Sequence, residues 1–319
     1  MMPSGQSALP PTSLIICTRN RPGMLAETVR SVLAGREVPT ELIVVDQSDV
    51  PTDDLASAGG SSGCEVRYTW SPVPGLSHAN NLGVRLARHE VLVFTHDDVH
   101  ADEFWFGTLV RSLLVAGPRS VVTGRVPPGP PEVPGGFQQT LRTSQTATVW
   151  QGRTRERPLL VLNMALLRGT YVEVGGFDER LGPGTPFPGA EDVDLGFRLL
   201  EAGYRIIYVP DAVIYHRAWR KPSSYLSIRW AYGLALGGFY AKHLSVRDRW
   251  MAHSMLAVLR SRMSRGVRAL AGRPRAALGD FLSVAGIVAG TGLWWLTQAG
   301  RPRAPASSDL RPARAPRED

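Results

Sequence analysis

Apolar residues in the first two thirds of the chain come in short unbroken runs rather than in alternation. Residues 13–17 (S-L-I-I-C) and 41–45 (E-L-I-V-V) are two such runs, and a helical pattern lies between them. That helix is opened by Pro22, carries Leu25, Val29, Val32 and Leu33 on one face, and ends at Gly35. Runs without polar alternation belong to strands covered on both faces, so strand, helix, strand predicts a parallel sheet flanked by helices. Further strands are expected at 64–70, 90–95, 119–126 and 205–209, with core resuming at 159–167. A helix through Ala87 should pack Leu82 and Leu86, and another should start at Asp102 and Glu103. Residues 127–136 are proline-rich and lead into a polar stretch to Arg157 with Trp150 as its large aromatic. That stretch reads either as an acceptor-selecting loop or as a plain linker.

Beyond Tyr225 the pattern becomes helical. Tyr232, Leu236, Phe239 and Tyr240 form a stripe best explained by packing, and residues 247–275 mix arginines with Leu, Val, Met and Trp. The mixture predicts an amphipathic helix lying on a membrane surface. Residues 281–298 carry no charge over a length near the ~20 residues that a span requires. Gly286, Gly290, Gly292 and the pair Trp294-Trp295 leave a span, an interfacial hairpin and a helix packed on the domain open, with the interfacial placement favoured. The expected division is a disordered 1–11, an α/β domain at 12–224, a helical extension at 225–300 and a disordered basic tail at 301–319.

Charge sharpens this division. Residues 217–319 hold 18 Lys and Arg against 5 Asp and Glu, and residues 1–216 hold 18 against 23. An acidic body with a basic, apolar-rich extension points to an anionic membrane surface as partner. No recognition helix or stacking motif accompanies the basic residues, so nucleic acid is not expected. With 319 residues, 43% of them hydrophobic, the chain suits one large α/β domain plus an appendage. Its two cysteines, Cys17 and Cys64, give no disulfide framework, and the start M-M-P-S-G-Q lacks the basic and apolar regions of a secretory signal. The cytoplasmic face of a membrane is the expected location.

Candidate chemistry falls at the strand ends. In parallel sheets ligands bind beyond the carboxyl ends of the strands, which brings Thr18, Arg19, Asn20 and Arg21 beside Asp46 and Gln47. The run at 90–95 ends in His96-Asp97-Asp98. Adjacent carboxylates there are costly without a cation, and Mg or Mn bridging a diphosphate would supply one; a helix cap is the alternative. Residues 189–217 form a third stretch, with Glu191, Asp192 and Asp194 at a helix start, Arg198 one turn on and His216 at its end. Acidic residues there could be plain capping or a site beside the Gly/Pro-rich loop 182–189.

Taken in order, I-I-C-T-R-N-R-P, V-V-D-Q-S, H-D-D, N-M-A-L-L-R, G-G-F-D-E-R, E-D-V-D-L-G-F-R and Y-H-R resemble the inverting glycosyltransferases of family 2, over about residues 12–245. The resemblance implies the GT-A fold, a Rossmann-like, mostly parallel sheet flanked by helices, here with a membrane-associating helical extension. It implies a UDP-, dTDP- or GDP-linked sugar donor, a glycan or lipid-linked acceptor, and Mg or Mn. Asp46 would read the nucleobase, with Thr18, Arg19, Asn20 and Asp97 on the donor and Asp98 and His216 on the metal. Asp192 would be the catalytic base, supported by Glu191, Asp194 and Arg198. His96 replaces an acidic residue common in the family, and Asn80-Asn81 stands for the more usual Arg-Asn. L-S-I-R-W at 226–230 is similar to the Q-x-x-R-W of processive synthases but lacks its glutamine, which implies single transfer. A sugar-phosphate nucleotidyltransferase would need a glycine-rich loop after the first strand, and T-R-N-R-P has none. A catalytically silent nucleotide-binding module recruiting partners to membrane is the other alternative.

Overall fold

The computed structural model describes residues 8–51 and 62–298. The expected N-terminal and C-terminal disorder therefore falls largely outside the described residues. Strand β1 (Thr12–Thr18) is buried along its whole length, as its unbroken apolar run requires. Helix α1 (Pro22–Leu33) follows, then β2 (Glu41–Asp46), β3 (Glu65–Trp70), α2 (Leu76–Leu86), β4 (Val91–His96) and the short β5 (Val99–Ala101). Next come α3 (Trp105–Ala116), β6 (Ser120–Arg125), β7 (Pro128–Pro131), β8 (Thr148–Gln151), β9 (Asn163–Leu167), α4 (Arg168–Glu173), α5 (Glu191–Glu201) and β10 (Arg205–Ala218).

The strands form one sheet in the order β3-β2-β1-β4-β9-β6-β10-β5, with β7 and β8 also on β10. Strands β3, β2, β1 and β4 are parallel. Alternate residues of β1 feed the two layers: Leu14 and Ile16 pack with α1 and α3, while Ile15 and Cys17 pack with α2, α4 and α5. From β4 onward the sheet is mixed, since β9 runs antiparallel to both β4 and β6.

Two differences from expectation shape the site. The strand expected to stop at 209 runs on to Ala218: it pairs parallel to β6, shifts register between Val209 and Val213, then pairs antiparallel to β5. Pro210 sits in the shift, where a missing N–H costs no ladder bond. Residues 127–157 are likewise not a plain linker, because β7 and β8 both pair with β10. The prolines of β7 hid it, yet proline is tolerated on such short edge strands.

Three helices complete the chain: α6 (Tyr225–His243), α7 (Trp250–Ala269) and α8 (Pro274–Gln298). Helix α8 is long and apolar enough to cross a membrane, by length and composition. Among the described residues it is one continuous helix packed against α6 and α7, not a hairpin. Gly233 and Gly237 of α6 lie against Ser283, Gly286, Ile287 and Gly290 of α8, so close that a Cβ on Gly237 would come to 2.2 Å from the Ile287 carbonyl. Leu236, Phe239 and Tyr240 are buried with Ile287 and Met251, as the stripe predicts.

Gly237→Val should therefore lower thermal stability by about 2 kcal/mol or more, because backbone rather than a yielding side chain blocks the methyls. Gly292 has nothing within 4 Å and is exposed. Gly292→Ala, measured in the same melts, should stabilise by up to ~1 kcal/mol.

Candidate active site

A cleft of about 640 Å³ opens at the carboxyl ends of β1 and β4 and is roofed by the start of α5 and by α6. Its floor is the pair Asp97 and Asp98, at most 3% exposed. Thr18 Oγ1 donates to Asp97 Oδ2 at 2.6 Å. Arg21, at the start of α1, pairs with Asp97 Oδ1 at 2.8 Å and with Asp98 Oδ2 at 3.2 Å. Trp219 Nε1 donates to Asp98 Oδ2 at 2.9 Å, and His216 Nε2 lies 3.6 Å from the same oxygen. The register shift in β10 makes this possible, because it aligns His216 with Val99, one residue past Asp98.

The two neighbours titrate apart. Burial pushes the Asp97 carboxyl up to about 7, only partly opposed by Arg21. Burial acts on Asp98 too, but the hydrogen bond and charge of His216, with His96 and Arg21, hold it far below the usual carboxylate range. Burial takes His96 down to about 4.

Asp98 Oδ1 is buried and makes no hydrogen bond. His216 Nδ1 is 3.0 Å from the Thr140 carbonyl, so that nitrogen carries a proton and Nε2 is left facing Asp98. A free carboxylate oxygen beside an imidazole nitrogen suits Mn or Mg completed by substrate phosphate oxygens. Among the described residues no group of three or more His, Cys, Asp or Glu is assembled for a metal. The donor set thus fits a cation shared with a ligand, not one held by protein alone.

On the side nearest β1, Thr18, Arg19, Asn20 and Asp97 line the cleft together with Gln47. Arg19 and the Asn20 amide both reach Asp49, and Asn20 takes a left-handed φ of 56°. Asp46 lies behind this layer. It is 1% exposed, and its oxygens accept from the Ser48 N–H at 2.8 Å and the Tyr68 hydroxyl at 2.7 Å. The structure gives Asp46 the position of a support beneath the 47–49 loop. Asn81 is also structural: its Nδ2 donates to the Phe177 carbonyl at 3.0 Å and Glu179 Oε1 at 2.9 Å, fastening α2 to the G-G-F-D turn, while Asn80 Oδ1 accepts from Cys17 Sγ at 3.2 Å.

The acidic start of α5 divides by direction. Glu191 and Asp192 face the cleft, while Asp194 points away into the body. No side chain caps this helix, whose N-cap Ala190 has φ 65°. The capping expected of Asp194 is therefore absent, and its pairing with Arg198, at 2.8 Å, is present. Two partners not foreseen join it, Lys242 at 2.6 Å and His243 at 2.7 Å, and Lys242 also reaches Asp178 at 2.7 Å. Asp194 thus ties α6 to the body. Arg198 also bonds the Gly176 carbonyl at 2.6 Å.

Burial, then the neighbouring Asp192, pushes the Glu191 carboxyl up to about 8. Burial raises Asp192 as well, opposed by Arg157 and Arg142. Burial thus disfavours full ionisation of the pair, and the opposing cations, Arg157 and Arg142, act on the Asp192 side. Sequence reasoning missed Trp219 and Arg157 as cleft residues, and it placed Arg21 in the strand-end crevice without its pairing to Asp97 and Asp98. Arg21 carried a signal: a cation at a helix N-terminus opposes the helix dipole unless an anion lies nearby.

Residues 13–172 match the family model described as Glycosyl transferase family 2. The chain is 28% identical over 215 residues to a glucosyl-dolichyl phosphate glucuronosyltransferase of Haloferax volcanii, covering 64% of this chain and 68% of that one. It is 30% identical over 234 residues to a pre-mycofactocin glycosyltransferase of Mycobacterium tuberculosis, covering 67% of this chain and 44% of that one. It thus spans about two thirds of the first and under half of the second. Among solved structures, a mannosyltransferase from Pyrobaculum calidifontis in complex with GDP-Man and Mn2+ superposes with a TM-score of 0.56 at 17% identity, over 95% of this chain and 86% of that one.

Removing Asp194 should unfasten α6 without touching the cleft floor. Asp194→Asn leaves Arg198 without its ion-pair partner and Lys242 with Asp178 alone, and a loss of about 3 kcal/mol in unfolding experiments is expected. The wild-type carboxyl lies well below its ordinary value against the opposing pull of burial, through Lys242, Arg198 and His243. Its contribution is complete above about pH 4 and is lost only as pH falls through that depressed value.

Proposed function

The chain belongs to glycosyltransferase family 2 and has the GT-A fold, and from that premise we propose that it transfers one sugar, with inversion, from a nucleotide-sugar to a hydroxyl acceptor. The observation that carries the reading is the split carboxylate pair on the cleft roof, opposite a second acidic pair on its floor. Inverting transfer needs one ionised carboxylate to take the acceptor's proton while the nucleotide diphosphate departs on the other side of the anomeric carbon. Asp192 supplies that carboxylate. Glu191, protonated at neutral pH, keeps a second negative charge away from the anionic donor.

On the floor, Asp98 and His216 would hold Mg or Mn, which when bound offsets charge on the departing diphosphate. Thr18 and Arg21 fix the Asp97 carboxylate so that it can accept from a sugar or ribose hydroxyl. Arg220, stacked 4.6 Å over the Trp219 ring, offers a cation beside the same floor. UDP-, dTDP- and GDP-linked donors all suit this chemistry. A glycan or lipid-linked acceptor, in cell-envelope assembly at the cytoplasmic face of the membrane, is the setting proposed. The Haloferax volcanii relative, named for a dolichyl phosphate substrate, supports it. Residues of the helical extension offer the membrane contact, since Leu256, Met263, Val267, Leu270, Val288 and Leu296 are exposed.

Incubation with a nucleotide-sugar panel and Mn should give slow donor hydrolysis or transfer. Asp192→Asn should lower kcat by a factor of about 100 or more with donor affinity kept, and full activity in that variant would remove Asp192 as base. The pH profile offers a second check. The wild-type kcat/KM should fall on the acid side as Asp192 takes up its proton, and fall again near pH 8 as Glu191 ionises. Glu191→Gln should keep the acid limb and lose the alkaline one. It should also raise the melting temperature at neutral pH. A carboxyl raised from 4.5 to about 8 costs no stability below pH 4.5 and costs progressively more as pH rises to about 8, so the gain should vanish in acid.

A further inference from the structure

The roof of the cleft carries more positive charge than the fold uses. Arg229 on α6 and Arg262 and Arg265 on α7 converge on a single carboxylate, Asp280 of α8. The two α7 contacts are loose, 3.4 Å each. Arg157 joins the group from the loop after β8 and makes no ion pair among the described residues. Three guanidiniums thus share Asp280, and a fourth lies beside them. Arg262 Nε is buried without a hydrogen-bond partner. Burial, then Arg229, Arg157 and Arg265, pulls the Arg262 guanidinium down to about 10. Three of the four, Arg157, Arg229 and Arg262, line the cleft beside Asp192, with Tyr232 and Leu236 between them.

Clustered, partly desolvated guanidiniums that outnumber their counter-charges are the arrangement that binds phosphate. The donor diphosphate is accounted for on the floor, around Asp98, His216 and Arg220. On the outer side of α7, next in sequence to Arg262, Met263 begins an exposed apolar row with Val267 and Leu270, and Leu256 lies one heptad before it. An acceptor with an anionic head and an apolar tail would satisfy both features.

Resting on the transfer reading above, we propose that Arg157, Arg229 and Arg262 bind the phosphate of a lipid-linked sugar phosphate acceptor. The sugar hydroxyl then lies at Asp192 and the lipid chain runs along the exposed row of α7.

The test is calorimetry on the full chain in neutral detergent, with octyl phosphate as probe and octyl glucoside and inorganic phosphate as comparisons. Octyl phosphate should bind at least about ten-fold more tightly than either, and Arg157→Gln with Arg262→Gln should each weaken it about ten-fold. Asp98→Ala, which disables the floor, should leave it unchanged. Arg262→Gln should melt no lower than wild type, because it removes like-charge repulsion, whereas a structural arginine would lower the melt. Equal binding in the arginine variants, or loss in Asp98→Ala instead, overturns the assignment. Inorganic phosphate binding as tightly as octyl phosphate overturns the lipid part of it. Failure of the transfer reading is separate: it appears as no nucleotide-sugar binding with Mn, whatever octyl phosphate does.

Discussion

Two adjacent carboxylates buried at the end of β4 set the terms for the rest of the molecule. Asp97 and Asp98 cannot both be charged there unless cations are brought to them, and the chain brings them from far apart in sequence. Arg21 comes from the start of α1 and His216 from the end of β10, and Trp219, just beyond that strand, adds a neutral N–H donor. The long last strand exists in its bent form because of this. Without the shift around Pro210, β10 would continue along β6 and His216 would not come level with Val99.

A second acidic cluster solves the same problem differently. Asp194 is neutralised by three basic side chains and becomes a fastening between α5 and α6. Glu191, three residues earlier, has no basic partner and keeps its proton. Asp192 lies between these extremes, near Arg157 and Arg142 but bonded to neither. Three carboxylates in one helical turn therefore end in three electrostatic environments, and the intermediate one is that of the proposed base.

The parallel half of the sheet was legible from the sequence because its strands are unbroken apolar runs, and the strand ends marked Thr18, Asp97 and Asp98 for the same reason. The family resemblance brought in Asp192 and His216, which line the same cleft. Other parts were hidden by local chemistry. Proline concealed β7 and the continuation of β10, since pattern reading treats it as a stop and edge pairing does not. Asp46 read as an exposed strand-end acid, but Tyr68 and Ser48 reach it from chain segments whose side-chain directions no one-dimensional pattern gives. Glycines in α8 left its placement open between a span, an interfacial hairpin and a packed helix, and their spacing matches that of Gly233 and Gly237 on a partner helix.

The proposed acceptor phosphate would also bear on the base itself. Arg157 lowers the Asp192 pKa while burial raises it, so in the free cleft the two effects partly cancel. A phosphate seated on Arg157 withdraws much of that cation's field from Asp192 while the acceptor displaces water. Both changes move the carboxylate toward stronger basicity, and both occur only with acceptor in place. Before then Arg157 keeps Asp192 less basic, which limits its delivery of a water molecule to the donor. The arginine cluster would thus couple acceptor binding to activation of the base by electrostatics alone, without requiring any part of the fold to move.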